Sequence, residues 1–326
     1  LALALGLLAG LVAAVGGDVL AALSSLVRAS FGTLGGVGQT LNKITPLMLG
    51  SLAVVVGMRG GVFNIGVDGQ IYLGAVMATG VGLTLTDLPG VLAVPLALAA
   101  GVAGGALWGG VPGLLRARYG VSEIFVTVML NFIALFLVEY LSTGPWNDPM
   151  AGEAITRPVA QAFRLPLLVP RGGAHVGVLL AVAAAVAVWL FLYRTVPGYE
   201  VRATGDNPTA ARLGGVPVER TTSVVLAASG ALAGLAGAVE VTGFHHRLIL
   251  GLSPGYGVMS ILIAVLGRRT VTGAAVGSVL FAVLVVGSDS LQRSAGLPAS
   301  AVFVLQAAIL LFLLAAEGLR AGRARP

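Results

Sequence analysis

Ten stretches of this chain contain no Asp, Glu, Lys or Arg: 1–17, 44–58, 69–86, 88–115, 124–138, 172–193, 221–239, 248–267, 270–288 and 294–316. Nothing else in the sequence restricts the fold as strongly. A hydrocarbon core of ~30 Å needs about 20 helical residues, and charged residues at the flanks snorkel to lengthen a short window. The pattern predicts an all-α polytopic membrane protein with about ten transmembrane helices, read as one transmembrane domain over 1–326. A β-barrel would instead show ~10-residue segments of alternating hydrophobicity, and the sequence has none. Composition agrees, since 10% of residues are charged where a soluble domain carries about 25%.

Basic residues set the expected orientation. With both termini inside, the cytoplasm receives Arg59, Arg116, Arg118, Arg194, Arg202, Arg212, Arg220, Arg268, Arg269, Arg320, Arg323 and Arg325. The outside receives Arg28, Lys43, Arg157, Arg164, Arg171, Arg247 and Arg293, three of them in one long loop where the positive-inside rule is weaker. The expected topology is N-in and C-in, and the same bias accounts for the formal charge of +6 without nucleic acid. The window 1–17 lacks the basic flank and cleavage site of a secretory signal. Because the chain begins at Leu1 and not at Met, its start is expected upstream. Residues 18–36, with Asp18 and Arg28 among apolar neighbours, read as an interfacial helix on the outer face.

Several chemistries are excluded. There is no cysteine, hence no disulfide and no thiolate chemistry. The only lysine, Lys43, follows Asn42, so no Gly-Lys-Ser/Thr phosphate loop exists. His245 and His246 are adjacent, and a helix would point them ~100° apart. That makes a poor metal pair and fits an outer-interface position. No zinc-protease helix, nucleophile elbow or paired carboxylates at helical spacing occurs. A membrane enzyme is thus disfavoured.

Two loops are long. The expected outer loop, 144–173, holds five prolines and Trp146. The expected inner loop, 194–220, is the most polar stretch of the chain. Within it Asn207 suits an N-cap and Gly214 a C-cap, predicting a two-turn helix over 208–213.

Forty-eight glycines fall into two groups. Gly101, Gly105, Gly109 and Gly113, then Gly230, Gly234 and Gly237, then Gly273 and Gly277, form small-residue stripes that let helices approach closely in lipid. Two other stretches break their helices: 59–70, with Phe63, Asn64, Asp68 and Gln70, and 251–257, with Ser253, Pro254 and Tyr256. Interrupted hydrophobic segments of this kind mark substrate paths in transporters. Hydropathy alone also allows 59–69 to be a surface loop between spans. Asp68 draws attention because a carboxylate within a span costs ~3 kcal/mol to insert. The candidate path residues are therefore Phe63, Asn64, Asp68 and Gln70, with Asn131, whose mid-span amide either bonds across helices or faces a pore. Phe63, Phe125 and Phe132 lie beside the polar candidates Asn64 and Asn131, and at least one is expected to face the path. Glu123 and Glu139 bracket one window and are expected near the two interfaces.

The run from Gly61 to Gln70 resembles the Asn-Ile-Gly-x-Glu-Gly-Gln signature of bacterial ABC-importer permeases for simple sugars, nucleosides and branched-chain amino acids. Residues 202–216 resemble that family's cytoplasmic loop, and 229–238 and 264–268 its later spans. The stretch 123–149 is similar to the nucleoside (purine) branch. Asp68 stands where the signature has Glu, Ser122 where the nucleoside branch has Asn, and 260–263 depart from the usual Gly-Ile-Ala-Val run.

The resemblance implies one half of an importer in the bacterial cytoplasmic membrane, paired with a second, related permease, most simply as a heterodimer. It further implies an ATPase with two nucleotide-binding domains, which would hold the ATP and Mg that this chain lacks, and an extracytoplasmic substrate-binding lipoprotein. Gly205, Asn207, Ala210, Ala211 and Gly214 would then belong to the coupling helix that meets the ATPase. The expected cargo is a nucleoside or related small polar solute, with a simple sugar second. An ion-coupled secondary transporter is the reading from another class, and Asp68 is its one strong ion-ligand candidate.

Overall fold

A computed structural model describes Ser24 and residues 27–295, with side chains through Ser290. The window 1–17 and nearly all of 294–316 lie outside these residues, as does most of 18–26 in the expected interfacial helix. What is described of that helix is a single turn at 27–31.

Thr33, in extended backbone, then opens α1 (Leu34–Arg59), its Oγ1 accepting from the Gly36 N–H at 3.0 Å. There follow α2 (Val67–Thr84), α3 (Gly90–Tyr119), α4 (Glu123–Thr143) and α5 (Gly177–Arg194). Two short helices, α6 (Val196–Asp206) and α7 (Pro208–Leu213), lead into α8 (Val218–Val239). A π-helical turn, Glu240–His245, extends α8, and α9 (Tyr256–Leu266) and α10 (Val271–Ala295) are the last of the described helices. Among the described residues, six helices are long and apolar enough to cross a membrane. The chain is an all-α polytopic membrane protein.

Burial sorts these helices into an inner and an outer set. The apolar window of α1 is 83% buried and that of α4 only 17%, so α1 is core and α4 is periphery. Helix α2 is buried almost all round, including Ile71, Ala75 and Ala78 at 0% exposure. The outer helices present Leu107, Phe125, Phe132 and Phe136 outward, a surface that water would not tolerate and lipid does.

Since lipid is as apolar as leucine, helices here associate by close packing. The first two glycine stripes do this against each other. A side chain on Gly105 would collide with the Gly230 carbonyl, and one on Gly234 with the Gly101 carbonyl. Gly273 meets Gly267 in the same way.

The window 248–267 departs from expectation. It holds an eleven-residue helix, α9, about 16 Å long against a ~30 Å core. Gly251 and Gly255 sit at φ 85° and 84° on either side of Pro254, and no helix runs through that sequence. Residues 144–173 are not a free loop either. They form a lid over one end of the bundle, with a 3-10 turn at Gln161–Phe163 and a small antiparallel pair, β1 (Leu167–Val169) and β2 (Ala174–His175). The N–H groups of Val159 and Leu165 donate to the His246 and Thr242 carbonyls at 2.9 and 2.8 Å, tying the lid to the π-turn.

Candidate functional site

The two glycine-broken stretches, far apart in sequence, meet inside the bundle. Residues 60–66 form a buried elbow and not a surface loop: Val62 is 3% exposed and Asn64 1%. Gly61 turns the chain at φ 75°, a conformation glycine adopts without strain. A methyl group on Gly50 would meet Val67 at 3.6 Å and collide with Ser260. Gly50 lies about 14 Å from Arg59 along α1, so the elbow delivers the start of α2 well inside the bundle.

The elbow is held by amides. Asn64 Nδ2 donates to Gln70 Oε1 and to Ser229 Oγ, both at 2.8 Å, and Asn64 Oδ1 accepts from Gly66 N–H at 2.9 Å and Gln70 Nε2 at 3.2 Å. An asparagine amide has two donors and two acceptor positions, and all four are engaged. Asn131, on α4, bonds across helices: its Oδ1 accepts from Gly69 N–H at 2.8 Å and its Nδ2 donates to the Ile65 carbonyl at 3.0 Å. The Phe63 N–H donates to Glu123 Oε1 at 3.3 Å, and Glu123, 5% exposed, pairs with Arg116. Phe125 and Phe132 lie instead on the outward face of α4, 73% and 52% exposed.

Asp68 joins the elbow to the second break. Its Oδ1 accepts from Ser253 Oγ at 2.5 Å and from the Gly257 N–H at 2.8 Å, in the first turn of α9. A carboxylate at a helix N-terminus satisfies an orphan donor and complements the helix dipole. The Tyr256 N–H donates to Ser253 Oγ at 3.2 Å, closing a cap around the start of α9. The side chains that sequence placed on a path are thus gathered in one place, held by bonds to one another and to backbone.

Beyond the elbow, Gly61 packs on α6: a Cβ there would stand 3.0 Å from Gly205 Cα, and one on Gly205 would collide with the Arg59 carbonyl. Asn207 caps α7 as expected, its Oδ1 accepting from the Thr209 and Ala210 N–H groups at 3.1 and 3.0 Å, and Gly214 N–H returns to the Ala210 carbonyl at 2.9 Å. Ala210 is exposed, whereas Ala211 is 6% exposed and turned toward its own chain. The outward knob of α7 is Leu213, 87% exposed.

A family model described as "Branched-chain amino acid transport system / permease component" matches residues 36–314. The chain belongs to this permease family. Like its relatives it is a translocating subunit of an ABC importer. It is 35% identical to the guanosine ABC transporter permease protein NupP of Bacillus subtilis, over 98% of this chain and 93% of that protein. It is 36% identical to the glucose ABC transporter permease protein TsgB13 of Haloferax volcanii, over 86% and 77%. The nucleoside ABC transporter permease protein NupB of Lactococcus lactis is 30% identical over 88% and 81%.

Two residues of this permease's polar network, Glu123, read as an interfacial charge, and Ser229, were not singled out along the sequence, nor was the exposed Leu213 of α7. Ser229 is an ordinary small residue in a glycine-rich span, and only the fold brings its Oγ to Asn64 and to the Ala53 carbonyl at 2.7 Å. Leu213 is one apolar residue on a short polar helix, with no period to reveal its facing.

Proposed function

We propose that this permease carries nucleosides, purine nucleosides foremost, as one half of an ATP-driven importer. The observation that carries the reading is the end-to-end match with the guanosine permease. The second reading, a simple sugar, rests on the glucose permease, 36% identical but over a shorter part of the chain. Uptake of labelled guanosine and labelled glucose into vesicles holding the assembled transporter separates them. Guanosine uptake competed by inosine and not by glucose is expected, and the reverse pattern overturns the nucleoside assignment.

In this reading about ten spans cross a bacterial cytoplasmic membrane with both termini inside. The Arg59 and Arg269 end then faces the cytoplasm, and the lid at 144–173 faces outward. A related permease completes the path as a heterodimer, a binding lipoprotein delivers solute at the lid, and a separate ATPase with two nucleotide-binding domains holds ATP and Mg. Phe63, Asn64, Asp68, Gln70 and Asn131 shape the wall of the path, held there by the Asn64–Gln70 pair and by bonds to Ser229, Ser253, Glu123 and neighbouring backbone. A gradient-driven carrier would want the Asp68 carboxylate for an ion, and uptake that persists without ATP would support it.

The α7 helix, from Asn207 to Gly214, is the proposed coupling element. Its caps make it rigid, and Gly205 on α6 rests against Gly61, so a push on α7 has a packed route to the elbow. Ala210 and Leu213 present the docking face, and Ala211 anchors the helix to its own chain. Leu213→Asp should cut copurification of the ATPase at least fivefold with the permease still inserted. Undiminished copurification would remove α7 from the interface.

A further inference from the structure

The end of the bundle under the lid holds a polar cluster that the elbow does not use. Lys43 lies about 24 Å from Arg59 along α1, less than the ~30 Å thickness of a hydrocarbon core. Its ammonium donates to Tyr256 Oη at 2.8 Å and lies over the rings of Phe244 and Tyr256, 5.1 and 5.5 Å from their centroids. His245 meets Phe244 edge to face with centroids 4.8 Å apart, and His245 Nε2 stands 3.4 Å from Glu240 Oε2. Glu240 is 1% exposed and Tyr256 0%, while Lys43, Phe244 and His245 are half-buried. A buried back wall thus supports an open front of one cation, one aromatic ring and one imidazole.

The π-turn makes this front. One extra residue per turn over Glu240–His245 rotates Phe244 and His245 away from the register α8 would give them. Such turns are energetically poor and are frequent at functional sites. Charged side chains at this depth mark solute paths.

We propose that Lys43, Phe244, Tyr256, His245 and Glu240 form a binding site for a neutral oxopurine nucleoside. The assignment rests on the nucleoside reading above and adds the site and the base. An oxopurine has a flat face, a carbonyl and ring nitrogen that accept on one edge, and N–H groups that donate on another. Phe244 offers the stacking face, worth ~1–3 kcal/mol per base in other binders. A base stacked there takes the ring from the Lys43 ammonium, which stays anchored on Tyr256 and donates to the accepting edge. His245, whose Nε2 faces Glu240, accepts from the donating edge through its other ring nitrogen. A hexose has no π-face to place on Phe244.

The test is photolabelling with 8-azidoguanosine of the complete transporter, with its partner permease, ATPase and binding protein, in proteoliposomes. The label is expected on peptides holding Lys43 or residues 240–256, protected by excess guanosine and not by glucose. Phe244→Leu, which keeps apolar volume, should lower labelling at least fivefold, while Phe244→Tyr stays within twofold of wild type. Lys43→Met should lower it at least tenfold, with Lys43→Arg in between. Wild-type guanosine uptake with label on 60–70 or 125–132, or equal labelling of Phe244→Leu and Phe244→Tyr, overturns the site and leaves the nucleoside reading standing. A wild-type transporter that takes up no guanosine overturns that reading, and with it the ligand assigned here.

Discussion

The elbow at 60–70 and the π-turn at 240–245 are both backbone irregularities inside an apolar bundle, but they are completed differently. At the elbow each polar side chain is closed on a protein partner: Asn64 on Gln70, Ser229 and Gly66, Asn131 on Gly69 and Ile65, Asp68 on Ser253 and Gly257. At the π-turn a buried carboxylate and phenol stand behind half-exposed Lys43, Phe244 and His245. A closed network holds structure, because breaking it strands buried donors and acceptors. An open one keeps hydrogen-bonding capacity for something else. Polar residues in a span therefore do not announce their role by being polar; what matters is whether the protein already satisfies them.

That contrast is broken or sharpened by four substitutions, taken from the largest effect on stability to the smallest. Asn64→Leu strands Gln70, Ser229 and the Gly66 N–H together, and should cost about 3–5 kcal/mol. Purified protein would show this as a sharp loss of thermal stability, and an unchanged melting temperature would deny the network its structural role. Asp68→Asn keeps the shape and removes the charge from the start of α9, at about 1–2 kcal/mol. Limited proteolysis at 251–257 should quicken in that variant, and equal rates would show that the clamp does not hold the break closed.

The third lever is pH. Burial pushes the His175 imidazole below its ordinary value; Glu240 opposes this and His246 adds to it. Its Nδ1 accepts from the Gly177 N–H at 3.1 Å, which holds the ring neutral with its proton on Nε2. With the folded-state value below the unfolded one, stability is full above about pH 6.5 and is lost as pH falls through and below it, by up to ~1.4 kcal/mol per unit. Melting temperatures at pH 7.5 and 5.5 should diverge in wild type and converge in His175→Gln; equal slopes would place the acid sensitivity elsewhere. The smallest effect is expected at the open cluster. Lys43→Met relieves a half-buried charge but takes the donor from the buried Tyr256 hydroxyl, and these opposed effects should leave stability within ~0.5 kcal/mol of wild type. A fall as large as that of Asn64→Leu would mean that the π-turn is as structural as the elbow, and the contrast would collapse.

Much of this molecule was legible along the chain. Charge-free windows marked the helices because inserting a charge in lipid costs several kcal/mol, a rule that acts residue by residue. The glycine stripes announced helix contacts because close approach demands a repeat every fourth residue. Asn207 and Gly214 announced α7 because caps are local chemistry. The same locality explains the failures. A window without charge does not say whether a helix runs through it, and Pro254 between two positive-φ glycines left α9 at eleven residues. Ala210, Ala211 and Leu213 share a six-residue helix too short to show a period, so the sequence named Ala210 and Ala211 alike, although the first faces out and the second in, and passed over the exposed Leu213. The pairing of Asp68 with Gly257, and of Lys43 with Tyr256, spans most of the chain. No local rule specifies which two irregular segments will touch. By itself the sequence determined that this is an all-helical membrane protein of a permease family, with two helix breaks and a capped surface helix. Only the tertiary structure decided which polar groups are closed on one another and which are left half-open, because satisfaction of a buried group depends on distances in space and not along the chain.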